Sequence, residues 1–143
     1  MMRIGMIGAG WVTQHHLAGW QRQASRARVV AIADPSTGRA EERAAGFGIT
    51  HVYASAEALL EAGGIDALDI AAPREAHAGL VRLAAARGLP ALCQKPLAPT
   101  HGEAAALVDE VTGRMRLMVH ENWRFRPCYR DIAEWLHAGR IGP

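Results

Sequence analysis

The sequence predicts an α/β protein, a doubly wound parallel sheet with helices on both faces. Three observations carry that expectation. Short apolar runs alternate with helical stretches along the 143 residues, the pattern of parallel strands joined by right-handed crossovers. The first run, Arg3 to Ile7, gives way to the turn Gly8-Ala9-Gly10 and then to a helix opening near Trp11. The second, Val29 to Ala33, ends in Asp34, a little over the about 20 residues expected between a dinucleotide-binding glycine turn and its acid.

The elements follow in order. Trp11 to Gln23 carries Val12, His16, Leu17 and Trp20 at helical spacing, and Ala27 to Ala33 reads as the second strand. An Ala/Glu/Arg-rich helix is predicted over Thr37 to Ala45, then a short strand at Thr50 to Tyr53. Ser55 suits an N-cap for Ala56 to Glu61. Asp66 to Ala71 reads as a strand ended by Pro73, and Arg74 to Arg87 as a helix closed by Gly88. Pro90 to Cys93 is the next strand, Gly102 to Val111 a helix, Leu117 to His120 a strand. A last helix begins at Pro127, a residue suited to a first helical position, with the stripe Tyr129, Ile132, Ala133 and Leu136.

Composition narrows the classes. Half the residues are apolar, about a fifth are charged, and the net charge is +2 with acids and bases interleaved, so nothing points to nucleic acid. No apolar run reaches the about 18 residues of a bilayer span, so no membrane is expected. Glycine and polar residues interrupt any signal-peptide pattern by position 14, and the only cysteines, Cys93 and Cys128, suit a reducing compartment, so a cytoplasmic protein is expected. The seven histidines show no metal-binding spacing: His15 and His16 point to different sides of a helix, and His120-Glu121 lies at a strand end.

The glycine turn suits a diphosphate. Gly8 permits the tight turn, Gly10 allows close backbone approach, and the helix opening at Trp11 and Val12 aims free N–H groups and a positive dipole end at phosphate charge. Asp34 would accept from a ribose hydroxyl and repel a 2′-phosphate, which favours NAD over NADP. Arg39 could soften that preference by reaching toward a phosphate, or could be a solvated helix arginine.

At Gln94-Lys95-Pro96 the chain resembles the N-terminal domain of the glucose–fructose oxidoreductase / inositol dehydrogenase family (Gfo/Idh/MocA). The resemblance also rests on Gly8-Ala9-Gly10, Ala33-Asp34-Pro35, Ala72-Pro73 followed by His77, and Glu121-Asn122-Trp123-Arg124-Phe125 with Pro127. It implies a Rossmann fold binding NAD, with residues 1–122 as the dinucleotide-binding domain and 123–143 as a closing helix leading toward the family's C-terminal substrate domain. That α+β domain has no counterpart in these 143 residues, so the chain is expected to be truncated relative to the family and inactive alone. Two positions depart from the family pattern. Gln94 stands where glutamate is usual, which keeps an acceptor oxygen and removes a charge. Thr13 stands where a third glycine or alanine is common, and would hold helix and sheet slightly apart.

The resemblance implies roles residue by residue. Gly8, Gly10, Trp11, Val12 and Asp34 would hold the ADP half of the cofactor, and Ala72, Pro73 and His77 would line its passage along the fourth strand. Trp11 could equally pack the loop, Pro73 could simply end a strand, and His77 could be a capping or solvated histidine. Gln94, Lys95, Asn122 and Arg124 would flank the nicotinamide. Lys95 is the catalytic candidate. A lysine at its ordinary pKa of about 10.4 is protonated and a poor base, so either burial or a neighbouring charge must lower that value, or Lys95 serves by orienting and polarising a sugar or polyol hydroxyl, the role the resemblance implies. The closing motif leans toward the family's aldose or pentose dehydrogenases. The competing reading is a stand-alone NAD(H)-binding sensor or scaffold without catalysis. In either case exposed apolar groups such as Tyr129 and Trp135 would favour a homo-oligomer or a partner chain covering the sheet edge.

Overall fold

The structure is a computed structural model that describes residues 1–142, the side chain of Arg124 excepted. The elements are β1 (Met2–Ile7), α1 (Thr13–Gln21), β2 (Ala27–Ala33), α2 (Thr37–Phe47), β3 (His51–Tyr53), α3 (Ala56–Ala62) and β4 (Ala67–Ile70). After them come α4 (Arg74–Ala86), β5 (Ala91–Gln94), α5 (His101–Val111), β6 (Leu117–His120), a 3₁₀ turn (Asn122–Phe125) and α6 (Pro127–His137). Among the described residues the strands form one parallel sheet in the order β3-β2-β1-β4-β5-β6. This is the doubly wound Rossmann arrangement, and the order reverses between β1 and β4, where such sheets bind ligands.

The strand pleat sorts side chains to two cores. Ile4, Met6, Val29 and Ile32 pack on one face against Leu17 of α1 and Ala40 and Ala44 of α2. Ile7, Leu68 and Ile70 pack on the other against Leu59, Val81 and Leu107 of α3, α4 and α5. Each fully buried aliphatic side chain contributes about 1.5–3 kcal/mol, so these rows fix the helices on the sheet.

Local chemistry sets the helix ends. The Ser55 hydroxyl accepts the Ala58 N–H at 3.2 Å and starts α3. Thr100 and Glu103 form a reciprocal capping box for α5. Pro127 is the first residue of α6, as the sequence predicts. The helix α1 begins two residues later than the sequence suggests, because residues 10–12 stay in the turn, with Thr13 N–H bonded to the Gly10 carbonyl at 3.3 Å. The apolar stripe of α6 is present but buries nothing within residues 1–142, and Tyr129, Ile132, Trp135 and Leu136 are exposed.

Candidate cofactor site

The predicted site residues gather at one edge of the sheet, the carboxyl ends of the parallel strands. Gly8 to Val12 follow β1, Asp34 follows β2, Ala72 and Pro73 follow β4, Gln94 ends β5 with Lys95 next, and Asn122 follows β6. The placement of the Arg124 side chain lies outside the described residues.

Gly8 sits at the switch point. Its φ is +100°, and a Cβ built there would lie 2.6 Å from the Ala71 carbonyl oxygen, so β1 and the end of β4 close together only with glycine here. Its carbonyl accepts the Thr13 hydroxyl at 3.0 Å. The wholly buried Thr13 therefore ties helix to turn by a hydrogen bond, a role that its size alone does not announce. Gly10 differs: a Cβ there would meet nothing within 4 Å, so the space beside this residue is open. The N–H groups of Gly10, Trp11 and Val12 find no acceptor among the described residues. Open space beside a glycine, unspent donors and a helix N-terminus together fit a diphosphate. Trp11 is exposed and meets the His15 ring edge-on at 4.7 Å, leaving one face available beside the turn.

Asp34 is buried and does two jobs. Its Oδ2 accepts the Ala9 N–H at 2.8 Å, and its Oδ1 accepts the Ser36 N–H at 2.8 Å and Arg39 Nη2–H at 3.2 Å. Burial pushes this carboxyl up, but the two backbone donors and the Arg39 guanidinium outweigh it and hold it below the usual carboxylate range. The acid thus clamps the glycine turn and leaves one Oδ2 lone pair unspent, a position that would suit a ribose hydroxyl. Arg39 is paired with it instead of being merely solvated.

A cleft of about 210 Å³ opens between these residues, lined by Gly8, Asp34, Ala72 and Pro73 and, across from them, by Ser55, Ala56 and Glu57. Its walls are largely apolar, as an adenosine site requires. The α3 side of this cleft escapes sequence reasoning. The usable signal is the Ser55 cap, which places the first turn of α3 beside the end of β2. A larger apolar cavity of about 300 Å³ between Leu17, Trp20 and Phe47 lies away from all of these residues.

His77 takes a different place from the one expected of a cofactor contact. Only 1% exposed, its Nδ1 lies 2.8 Å from the Pro96 carbonyl oxygen and its Nε2 2.9 Å from that of Ala72. It joins the wall of the cleft to the Lys95-Pro96 turn from behind. That peptide bond is cis. Lys95 itself is exposed at the edge, and Gln94 Oε1 accepts its backbone N–H at 2.7 Å. Asn122 opens the 3₁₀ turn and is exposed on the same edge.

The sequence model of an oxidoreductase family with an NAD-binding Rossmann fold, Gfo/Idh/MocA, matches residues 2–121. The chain belongs to the Gfo/Idh/MocA family. A D-apiose dehydrogenase of Paraburkholderia graminis is 40% identical over 96% of this chain, and an inositol 2-dehydrogenase of Saccharopolyspora erythraea is 36% identical over 99%. An oxidoreductase from Agrobacterium radiobacter, solved with NAD⁺, L-tartaric acid and magnesium, superposes with a TM-score of 0.91 at 34% identity over 99% of this chain. The chain spans 36% to 42% of the length of these Gfo/Idh/MocA relatives. What it carries is the family's NAD-binding Rossmann domain. No helix among the described residues is long and apolar enough to cross a membrane.

Proposed function

We propose that this chain forms the nucleotide-binding half of an NAD-dependent dehydrogenase that oxidises a hydroxyl of a sugar or polyol. The observation that carries the reading is the spread of the site along one sheet edge. Asp34 and the cleft lie on one side of the switch point, and Lys95 lies on the other, past β4. A dinucleotide laid along this edge has its adenosine in the cleft, its diphosphate at Gly10 to Val12, and its nicotinamide toward Gln94, Lys95 and Asn122. When bound, the nicotinamide accepts the hydride that leaves the carbinol carbon. The hydroxyl proton departs to a base, and the product is a carbonyl. Lys95 donates a hydrogen bond from its side-chain N–H to the substrate oxygen and holds the hydroxyl toward the cofactor. The domain boundary falls near residue 122, just past β6, and the relatives' names make apiose-like sugars and inositols the substrates to test first. The exposed face of α6 would meet the rest of such an enzyme or a second copy.

Titrating NADH while following tryptophan emission tests the binding half of this reading, because Trp11 stands beside the diphosphate turn. Saturable binding, weaker for NADPH, is expected. No binding at millimolar NADH would overturn the proposal. The catalytic half is tested by replacing Lys95 with alanine in a form of the protein that turns over polyols. A loss of roughly 10²–10⁴-fold in kcat with NADH affinity retained is expected.

A further inference from the structure

Asp69 lies on β4, wholly buried, with its carboxylate turned toward α1. His16 Nδ1 is 2.9 and 3.0 Å from its two oxygens, and Trp20 Nε1 donates to Oδ2 at 2.7 Å. On the far side of the imidazole, His16 Nε2 lies 3.1 Å from Gln94 Nε2. Gln94 Oε1 in turn accepts the Lys95 N–H at 2.7 Å. The proton positions along this chain are dictated from one end. A backbone N–H can only donate, so the Gln94 atom facing Lys95 is the amide oxygen. The amide NH₂ therefore faces His16, and Nε2 must offer a lone pair. The single ring proton then sits on Nδ1 and points at Asp69, which accepts it.

We propose that Asp69, His16 and Gln94 are positioning residues: a one-way hydrogen-bond relay, with His16 held as the neutral Nδ1–H tautomer, that sets the backbone of Lys95. The inference rests on the reading of Lys95 as the residue at the reacting end of the site. A chain of this kind, buried at Asp69 and His16 and opening to the surface at Lys95, rigidifies what it holds because its groups are satisfied together in one arrangement. Glutamine at position 94 is essential to that arrangement. A carboxylate there would accept from both sides, and the ring could satisfy it and Asp69 together only as imidazolium.

A second imidazole stands beside this one. The His120 ring of β6 packs against His16 with centroids 4.6 Å apart, and its Nδ1 is buried with no partner among the described residues. Burial and, after it, His16 hold His120 below the usual imidazole range, against a smaller upward pull from Asp69 and Glu121. On β5, burial first and then the charge of Asp69 push the Cys93 thiol up to about 12.

Long-range ¹H–¹⁵N spectra of the isotope-labelled chain at neutral pH read the tautomer without any turnover. A protonated Nδ1 and a bare Nε2 on His16 are expected, and an Nε2–H or doubly protonated ring in the wild type would overturn the relay. In Gln94→Glu both nitrogens should carry protons at the same pH; an unchanged ring would count against the proposal. Exchange of the Lys95 amide reads the positioning. It should speed up on the order of tenfold in Gln94→Leu and stay within about twofold in Gln94→Glu, which keeps the acceptor. An unmoved amide in Gln94→Leu would refute the positioning role. Turnover that survives Lys95→Ala would instead sink the reading of Lys95, while the His16 spectrum tests the relay independently of it.

Discussion

The two glycines of the turn should fail in different ways when each is replaced by alanine. At Gly8 the new methyl would lie 2.6 Å from the Ala71 oxygen, 2.8 Å from its carbonyl carbon and 2.9 Å from the Ala72 nitrogen, all backbone atoms that cannot rotate aside. The residue also holds φ at +100°, where an L side chain costs about 1–2 kcal/mol. Overpacking against fixed atoms adds about 1–3 kcal/mol. Gly8→Ala should therefore lose about 2–5 kcal/mol, a large part of the about 5–15 kcal/mol that holds a typical domain together. At roughly 3 °C or more per kcal/mol for a chain of this size, Tm falls by on the order of 10 °C. At Gly10 the protein offers no atom within 4 Å of the new methyl, so Gly10→Ala should keep its Tm, with a change in stability within about 0.5 kcal/mol. Its cost falls on the ligand. The methyl enters the space through which the diphosphate approaches the turn, and NADH affinity should drop at least about tenfold, or about 1.4 kcal/mol. Thermal unfolding followed by circular dichroism and NADH titration followed by tryptophan emission separate the two effects. A folded Gly10→Ala that binds NADH as well as the wild type, or a Gly8→Ala with an unchanged Tm, would refute the reasoning.

Asp34→Ser should weaken NADH and strengthen NADPH, because it removes the carboxylate and frees Arg39, now 3.2 Å from it, for a 2′-phosphate; equal loss for both cofactors would refute this. The Asp34 carboxyl titrates below its unfolded value, so its stabilisation is complete above about pH 4 and is lost as pH falls through the folded value. Urea midpoints measured from pH 7 down to 3 should accordingly fall more steeply in the wild type than in Asp34→Asn. Thr13→Val leaves the Gly8 carbonyl without its side-chain donor in a buried place and should cost about 1–3 kcal/mol by urea unfolding. Alkylation of the native protein at pH 8 should label Cys128 alone, since Cys93 is buried and its thiol is pushed up to about 12; two labels per native chain would contradict that environment.

What could be read from the sequence is what lies close together along the chain. The glycine turn, the acid at the end of β2 and the Ser55 cap each announce themselves within a few residues, and their neighbours supply the geometry. Thr13 shows the limit even at short range. Its side chain suggests a spacer by size, yet its hydroxyl reaches back to Gly8, and size says nothing of where a hydroxyl points. His77 is hidden more deeply, because its partners are the carbonyls of Ala72 and Pro96, and backbone atoms leave no mark in a residue pattern. The stripe of α6 is legible as a helix, but a period of 3.6 reports only that one face is apolar, never what meets it.

The strand order explains why the two halves of the site look unrelated in sequence and act together in space. The order reverses between β1 and β4, so the turn that would hold the diphosphate touches the strand end that leads to the other half. One buried imidazole, His77, lies between the carbonyls of Ala72 and Pro96 and donates its single N–H to one of them, while a second, His16, reaches the Lys95-Pro96 turn from the opposite face of the sheet through Gln94. Lys95 is thus held at its own N–H, and the carbonyl of the residue that follows it lies 2.8 Å from the His77 ring. An exposed lysine has many rotamers, and ordering it costs entropy each time a substrate binds. Fixing its backbone leaves those rotamers free but removes the backbone share of the cost before a ligand arrives, which supports the positioning role proposed for Lys95.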